Sequence, residues 1–419
     1  MKLLVFLMMF IMGATTTFSQ QGWLHQNFGP GNLISINFIN NTEGFIFRSD
    51  KYLLKSTNSG ENWTPTSLSL GNVRVDNGMF LNESAGAFIV FSNTHYWSGI
   101  YVTSNGGMTW NHSEPSVQGN IDLRKVKMIN NSTGYAVGTD VDLDGDLPVD
   151  AIICKTTDAG QNWNINYPSG FYYNDIIFIN DNTGFVCDFS ILQTTNSGQF
   201  WFLHSQTSRE RISFSEFFGD TIYLSSSDGY VAKSTNLGAN WTENFTGINQ
   251  HLTDIHFIDN QLGFAIGDSG GIVKTSNGGS NWIIQNSGTN KKLNELWFIN
   301  KDTGFIAGDS GLLLVTYNGG VTSLSQNYQS TPEKFQLHQN FPNPFNPSTI
   351  IRFDLVRSGY IRLSVYDISG KRLSVLINES LSPGSYEYNF NADNLPSGVY
   401  FYKIETESFT ETKRMVLIK

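Results

Sequence analysis

Lys274-Thr275-Ser276-Asn277-Gly278-Gly279-Ser280-Asn281-Trp282 decides how the chain is read, because versions of it recur along most of the sequence. Its copies are Ser56–Trp63 (STNSGENW), Thr103–Trp110 (TSNGGMTW), Thr156–Trp163 (TTDAGQNW), Thr194–Trp201 (TTNSGQFW), Ser234–Trp241 (STNLGANW) and Thr275–Trp282, and Thr316–Ser323 (TYNGGVTS) keeps the turn without the tryptophan. Each is a hairpin turn with a plug. The Asn or Asp at the third position is placed to bond its own backbone two residues on, and the Gly at the fifth supplies positive φ. The Trp three residues after that Gly starts the return strand, where its ring can be buried against a neighbouring unit and its N–H can reach a carbonyl.

Upstream of each turn lies a second signature of apolar strand, polar turn and apolar strand. It reads Phe38-Ile39-Asn40 to Gly44-Phe45, Phe80-Leu81-Asn82 to Gly86, Met128-Ile129-Asn130 to Gly134-Tyr135, Phe178-Ile179-Asn180 to Gly184-Phe185, Phe257-Ile258-Asp259 to Gly263-Phe264, and Phe298-Ile299-Asn300 to Gly304-Phe305. The fifth unit, Ile212 to Ser225, is worn down and still ends in a good turn. Strands a and b of this signature, strand c running into the turn and strand d starting at its Trp make four strands per unit. Seven such units predict an all-β chain whose main body is a seven-bladed β-propeller, which protects its sheet edges by closing the ring. The seventh unit lacks a strand d, whereas Gly22-Trp23-Leu24-His25-Gln26 looks like Asn281-Trp282-Ile283-Ile284-Gln285. The N-terminal segment is therefore expected to complete the last blade.

The turns resemble the Asp-box (BNR) repeat of sialidases, sortilin-type receptors and photosystem II assembly-factor propellers. That resemblance implies a scaffold role for the turns themselves. Before the propeller, Met1-Lys2 and the apolar run Leu3 to Met12 read as a secretory signal over residues 1–20, too short to be a stop-transfer helix, with no Cys after it to suggest a lipid anchor. No other stretch is long and apolar enough to span a membrane. The propeller is expected over 21–323 and a linker over 324–334.

Residues 335–419 read differently. Phe341-Pro342-Asn343-Pro344-Phe345-Asn346-Pro347 cannot be a central strand, because prolines remove donors. Alternating strands follow at Ile350–Leu355, Tyr360–Tyr366, Arg372–Leu376, Tyr386–Phe390, Val399–Glu405 and Lys413–Ile418, a small Ig-like β-sandwich pattern. The segments "LHQNFPNPFNPSTIIRFDL", "VYDISGKRL", "LPSGVYFYKIE" and the final "KRMVLIK" resemble the type A C-terminal sorting domain of the Bacteroidetes type IX secretion system. The resemblance implies export via the periplasm, with the secretion machinery and its sortase-like peptidase as partners. The product would be secreted or held at the outer cell surface, tethered there to lipopolysaccharide.

The net charge is −10, and the first 330 residues carry 16 basic against 27 acidic side chains while the remainder carries 10 against 9. A generic nucleic-acid or anionic-membrane binder is disfavoured by that balance. Cys154 and Cys187 are the only cysteines, so an exported chain must be considered for a disulfide, but both lie in apolar strand contexts of different blades and read as two buried thiols. The longest inter-turn spacing holds Asp140, Asp142, Asp144, Gly145, Asp146 and Asp150. Alternate carboxylates before a Gly resemble the first half of a calcium loop, although Ala151 stands where the bidentate Glu belongs. Structural calcium and a solvated acidic loop are the two readings; no other cofactor is implied.

Strand parity places the turns after a and c on one face, and the b–c turns with the d–a connections on the other. On that second face are expected Asp50, Tyr96, Trp97, the Asp140–Asp150 loop, Asp188, Asp228, Asp268 and Asp309, with Tyr167, Phe171, Tyr172, Tyr173, Arg209 and Arg211 from the connections. Acidic groups with aromatics suit a glycan or a protein ligand; an Asp before a Gly is also ordinary turn chemistry. A sialidase needs an arginine triad and a Phe-Arg-Ile-Pro segment; the propeller has Arg48, Arg74, Arg124, Arg209 and Arg211, with Phe47-Arg48-Ser49-Asp50 the nearest match. No catalytic residue is assigned. A non-catalytic binding protein is the reading, and a xyloglucanase-like glycoside hydrolase, needing only two facing carboxylates, is the alternative.

Overall fold

The computed structural model describes residues 22–92, 97–115, 120–141, 148–170, 172–206, 209–215, 218–320, 324–327, 332–357, 359–381, 383–392 and 395–419. Residues 1–20, expected to be a secretory signal, lie outside them. The chain divides into two compact units, Gly22–Gly320 and Val321–Lys419.

The first unit is seven four-stranded antiparallel sheets. Blade 1 runs Leu33–Phe38, Gly44–Arg48, Tyr52–Ser56, Thr64–Ser67, and its successors repeat that order. Blade 7 contributes Leu293–Phe298, Gly304–Gly308 and Leu312–Thr316, and its fourth strand is Leu24–Asn27, which pairs with Leu312–Thr316 from Leu24↔Val315 to Asn27↔Leu312. The ring is closed by the two ends of this unit, as the missing strand d required. Trp23 sits where a seventh box tryptophan would. A Cβ added to Gly320 would lie 2.9 Å from its indole nitrogen, and its ring meets Phe298 edge-on at 6.1 Å, much as Trp282 meets Phe257 at 6.0 Å.

The repeated turn owes its shape to a hydroxyl that the sequence reading left without a role. Thr275 Oγ1 accepts from the N–H groups of Asn277 (3.3 Å) and Gly279 (3.0 Å), and donates to Asn277 Oδ1 (3.0 Å). Asn277 Oδ1 in turn accepts from the Asn281 N–H, four residues on rather than two (2.9 Å). The reach is longer because Gly278 and Gly279 both take positive φ, 63° and 78°, curling the chain back over the Asn side chain. Ser59, Ala159, Ser197 and Leu237 adopt the same left-handed conformation at the position before the Gly. The tryptophans correct a second expectation. Trp163 and Trp241 donate to Ser113 and Ser205 hydroxyls of the preceding blade, whereas the Trp23, Trp63, Trp110, Trp201 and Trp282 nitrogens are buried without a partner among the described residues. Packing holds these rings; Trp63, for example, lies in a core built from blades 1 and 7.

Cys154 and Cys187 are buried and not joined in a disulfide, and burial pushes the Cys154 thiol up to about 12. The second unit is a β-sandwich with one core drawn from both sheets. Its sheets order as Leu324–Asn327, Gly384–Asn391, Ser348–Leu355, Gln336–Leu337 and as Arg372–Leu381, Gly359–Tyr366, Gly398–Glu405, Thr410–Leu417. Leu324–Asn327, expected in a linker, is instead an edge strand paired with Gly384–Asn391, because its polar run offers a sheet edge the same backbone groups as any strand. The proline-rich segment lies along the free edge of the last strand. Phe345 N–H donates to Val416 O and Ile418 N–H to Phe345 O, while Asn343 Oδ1 accepts from Val416 N–H (2.9 Å).

Candidate functional site

The inner strand of each blade presents one edge of unpaired backbone to the channel. The sequence answers this with polar side chains at one repeated position: Asn77, Asp175, Asp254 and Glu295. Asn77 Oδ1 accepts the Val126 N–H (3.2 Å), Asp175 Oδ2 that of Phe214 (2.9 Å), Asp254 Oδ2 that of Leu296 (3.0 Å) and Glu295 Oε2 that of Ile36 (2.8 Å). Each side chain caps the inner strand of the next blade. Lys125 stands at the equivalent place in blade 3 and cannot accept, so the Ile176 N–H turns to the other oxygen of Asp175 (2.8 Å). Lys125 instead crosses the channel to Glu295 at 2.5 Å. Burial disfavours its ammonium, yet Glu295, Asp175 and Asp254 more than offset this and hold the Lys125 pKa up. Burial, followed by the Glu295 charge, pushes the Asp254 carboxyl upward.

Above this floor is a cavity of about 320 Å³. One residue before that repeated position, the inner strands of blades 1, 2, 3, 6 and 7 carry a one-residue bulge at Ile34, Asp76, Arg124, Thr253 and Asn294, which turns an extra side chain to the cavity. Glu210, His251 and Lys292 also line it. Blades 3 to 5 join here in one network: Arg124 Nη1 donates to Asn174 Oδ1 (3.2 Å) and lies over the Tyr172 ring (4.8 Å), while Tyr172 Oη (3.2 Å) and Asn174 Nδ2 (3.4 Å) donate to Glu210 Oε1. Burial, with Asp188 and Glu210 adding to it, pushes Tyr172 up to about 12. The Asp188 side chain, buried nearby, is pushed up to about 6 by desolvation first and Glu210 second.

Most residues expected on this face are held in local roles. Tyr172 joins the cavity network, and Asp309 touches its wall by accepting from Asn294 Nδ2 (3.0 Å). Tyr173 is only 1% exposed and packs between blades 3 and 4, since neighbouring residues entering a strand face opposite ways; it is not a surface contact. Asp228 pairs with Arg209 and accepts from Ser226 Oγ (2.7 Å), Asp268 begins a single 3-10 turn, and Trp97 is half-buried beside His112 (5.7 Å). Tyr96 and Phe171 lie outside the described residues. So do Asp142, Asp144 and Asp146, while Asp140 and Asp150 are register partners across their hairpin. The reading from sequence missed the inner-strand caps. Their signal was a polar residue inside a buried strand, as in "LNELWFIN" and "LTDIHFID".

Residues 339–419 match the family model for the secretion system C-terminal sorting domain, and residues 233–336 that of the photosynthesis system II assembly factor YCF48. Among curated proteins none matches the sequence. Similar solved structures include YCF48 bound to D1 peptide (19% identity, TM-score 0.55, 71% of this chain and 95% of that one). YCF48 from Cyanidioschyzon merolae is comparable (17%, 0.54, 70% and 98%). The GH74 xyloglucanase from Xanthomonas campestris shares 11% identity at a TM-score of 0.56, over 80% of this chain and 60% of that one. At these identities the likeness is one of fold. The chain is a β-propeller protein. More particularly, part of its propeller is similar to the YCF48 family, and its second unit is similar to secretion-system C-terminal sorting domains.

Proposed function

We propose that this is an exported, non-catalytic binding protein that takes a glycan or protein ligand at the mouth of its central channel. The sortase-like peptidase of the type IX system removes the sorting domain and leaves the propeller released or at the cell surface. One observation carries the non-catalytic reading. Asp175, Asp254 and Glu295, the carboxylates of the cavity floor, each accept a backbone N–H of the same or the next blade, a structural role that supports the non-catalytic reading. A propeller of this fold bound to a peptide supports binding as a use of the scaffold. The abundance of carboxylates and the xyloglucanase fold neighbour favour the second reading, a secreted glycoside hydrolase. We also propose that the Asp140–Asp150 hairpin holds a calcium ion, which its facing carboxylates support.

Arrays of glycans and of peptides probed with the mature chain, alongside a hydrolysis assay on xyloglucan, separate the readings. Retention of a ligand without product release is expected, with loss on Arg124→Ala. Release of oligosaccharide products would replace binding by hydrolysis.

A further inference from the structure

Carboxylates outnumber cations around the central cavity. Asp76, Asp175, Glu210, Asp254 and Glu295 face Arg124, Lys125 and Lys292 there, so an anionic ligand would enter against an excess of its own sign. A cationic one would find most of the acids engaged. Both oxygens of Asp175 accept backbone N–H groups, and Asp254 accepts from Ser213 Oγ (2.6 Å) and the Leu296 N–H. Glu295 holds Lys125 and the Ile36 N–H, and Asp76 pairs with Arg74. What the wall still offers is a mixture of single acceptors and donors. Asn294 gives both amide hydrogens, to Leu33 O (2.9 Å) and Asp309 Oδ1 (3.0 Å), and keeps Oδ1 as an acceptor. Glu210 receives Tyr172 and Asn174 at Oε1, and its Oε2 has no hydrogen bond among the described residues. On the donor side, Asn77 is only 6% exposed and caps Val126 through Oδ1, which leaves its Nδ2 on the cavity wall with no partner among the described residues. Lys292 adds an ammonium, and Arg124 has donors beyond the one given to Asn174.

A hydroxyl group, which donates once and accepts twice, matches such a wall without bringing a charge to it. The shape narrows the choice further. Ile34 and Ile212 are the apolar residues of the lining, a surface on which a sugar ring can lay its C–H face. The Lys125–Glu295 pair crosses the channel below, and about 320 Å³ lies at the small end of ligand pockets, so one end of a molecule enters and no chain runs through. Strand addition by a peptide is blocked at four of the inner edges, because Asn77, Asp175, Asp254 and Glu295 already occupy N–H groups there. We infer that the cavity takes an uncharged sugar residue, the terminal hexose of a neutral glycan. Its hydroxyls donate to Glu210 Oε2 and Asn294 Oδ1 and accept from Asn77, Lys292 and Arg124. This rests on the channel-mouth binding reading.

Calorimetry on the full mature chain tests it, with cellobiose, lactose and mannobiose as probes against disaccharides of the same linkages ending in a uronic acid or an amino sugar. At least one neutral disaccharide is expected to bind more tightly than both of its charged counterparts, with an affinity that holds between about 0.02 and 0.5 M salt, since no ion pair is there to be screened. Glu210→Gln replaces the open acceptor by a donor and should weaken that sugar by about tenfold, the scale of one hydrogen bond to a charged group. Lys292→Met should weaken it as well; Lys292 is an exposed side chain, and an unchanged melting curve shows that each variant is folded. Tighter binding of a charged counterpart overturns the inference, as does failure of all three neutral sugars to bind, or neutral binding indifferent to both substitutions. If an array ligand, a peptide included, is nonetheless lost on Arg124→Ala, channel-mouth binding survives; if no array ligand responds to any mouth substitution, both readings fall.

Discussion

Asp188 Oδ1 is buried in the turn after Gly184–Cys187 with no hydrogen-bond partner among the described residues, and the side chain's residue is 7% exposed. Desolvation raises its pKa to about 6, so the folded protein holds its proton where the unfolded chain has released it. The stability this contributes is complete below the unfolded value near 4 and is lost as pH rises through 6. A rise of that size is worth at most about 2 kcal/mol once the water that reaches the turn has screened part of it. Asp188→Asn is therefore expected to stabilise the propeller at about pH 8 and to leave it unchanged near pH 4, as chemical denaturation on either side of the two pKa values would read. Equal effects at both would mean that the carboxyl does not titrate there. Lys125 presents the opposite case. Replacing it by Met strands Glu295 in the channel and should cost about 3 kcal/mol, since removing one partner of a buried pair leaves an uncompensated charge. The companion change Glu295→Gln should recover part of that loss in the double variant.

The element that matters most pairs with residues far from it in sequence and adjacent to it in space. Leu24–Asn27 joins blade 7 from the other end of the unit, and Trp23 fills a core shared by Phe264, Phe298 and Leu314. Trp23→Ala should destabilise the whole propeller by about 3 to 5 kcal/mol, the cost of a buried aromatic truncation; an unchanged unfolding midpoint would deny that the ring closes there. In blade 3, calcium bound between Asp140 and Asp150 should raise the melting temperature by binding the native state. If EDTA alters neither melting nor proteolysis within 139–150, the hairpin holds no ion. In the sandwich, the last strand is flanked by Gly398–Glu405 on one side and by Asn343 and Phe345 on the other. The proline-rich segment is thus an edge cover, which limits pairing with foreign strands.

For the whole molecule, the two compact units separate two tasks. The propeller has its own cores and a closed ring, while the second unit carries the sorting motifs. Because Leu324–Asn327 belongs to the sandwich, the truncation that leaves each unit whole ends at Gly320. A chain ending there should fold and stay in the periplasm, while the full chain reaches the outside without its tail. Fractionation and mass measurement of the exported product decide this; truncated propeller outside the cell at normal levels would show that the second unit is dispensable for export.

Repetition made the blades legible before any coordinates. The box residues act on neighbours within four positions, and the alternation of strands has a fixed period, so local order alone announces sheets, their number and which turns share a face. The ring closure was readable for the same reason, as one missing Trp at Ser323 and one surplus Trp at Trp23. What sequence could not supply was the convergence of seven inner strands on one axis. Asp175, Asp254 and Glu295 look like isolated acids in separate repeats, and Lys125 lies 170 residues from the carboxylate it meets. Their caps, the cross-channel pair and the cavity they floor exist only once the ring brings the inner edges together, because unpaired backbone and like charges make demands only at close range. Tyr172 and Tyr173 show the same limit: they stand side by side in the chain, and only packing between blades 3 and 4 decided that one joins the cavity and the other the core.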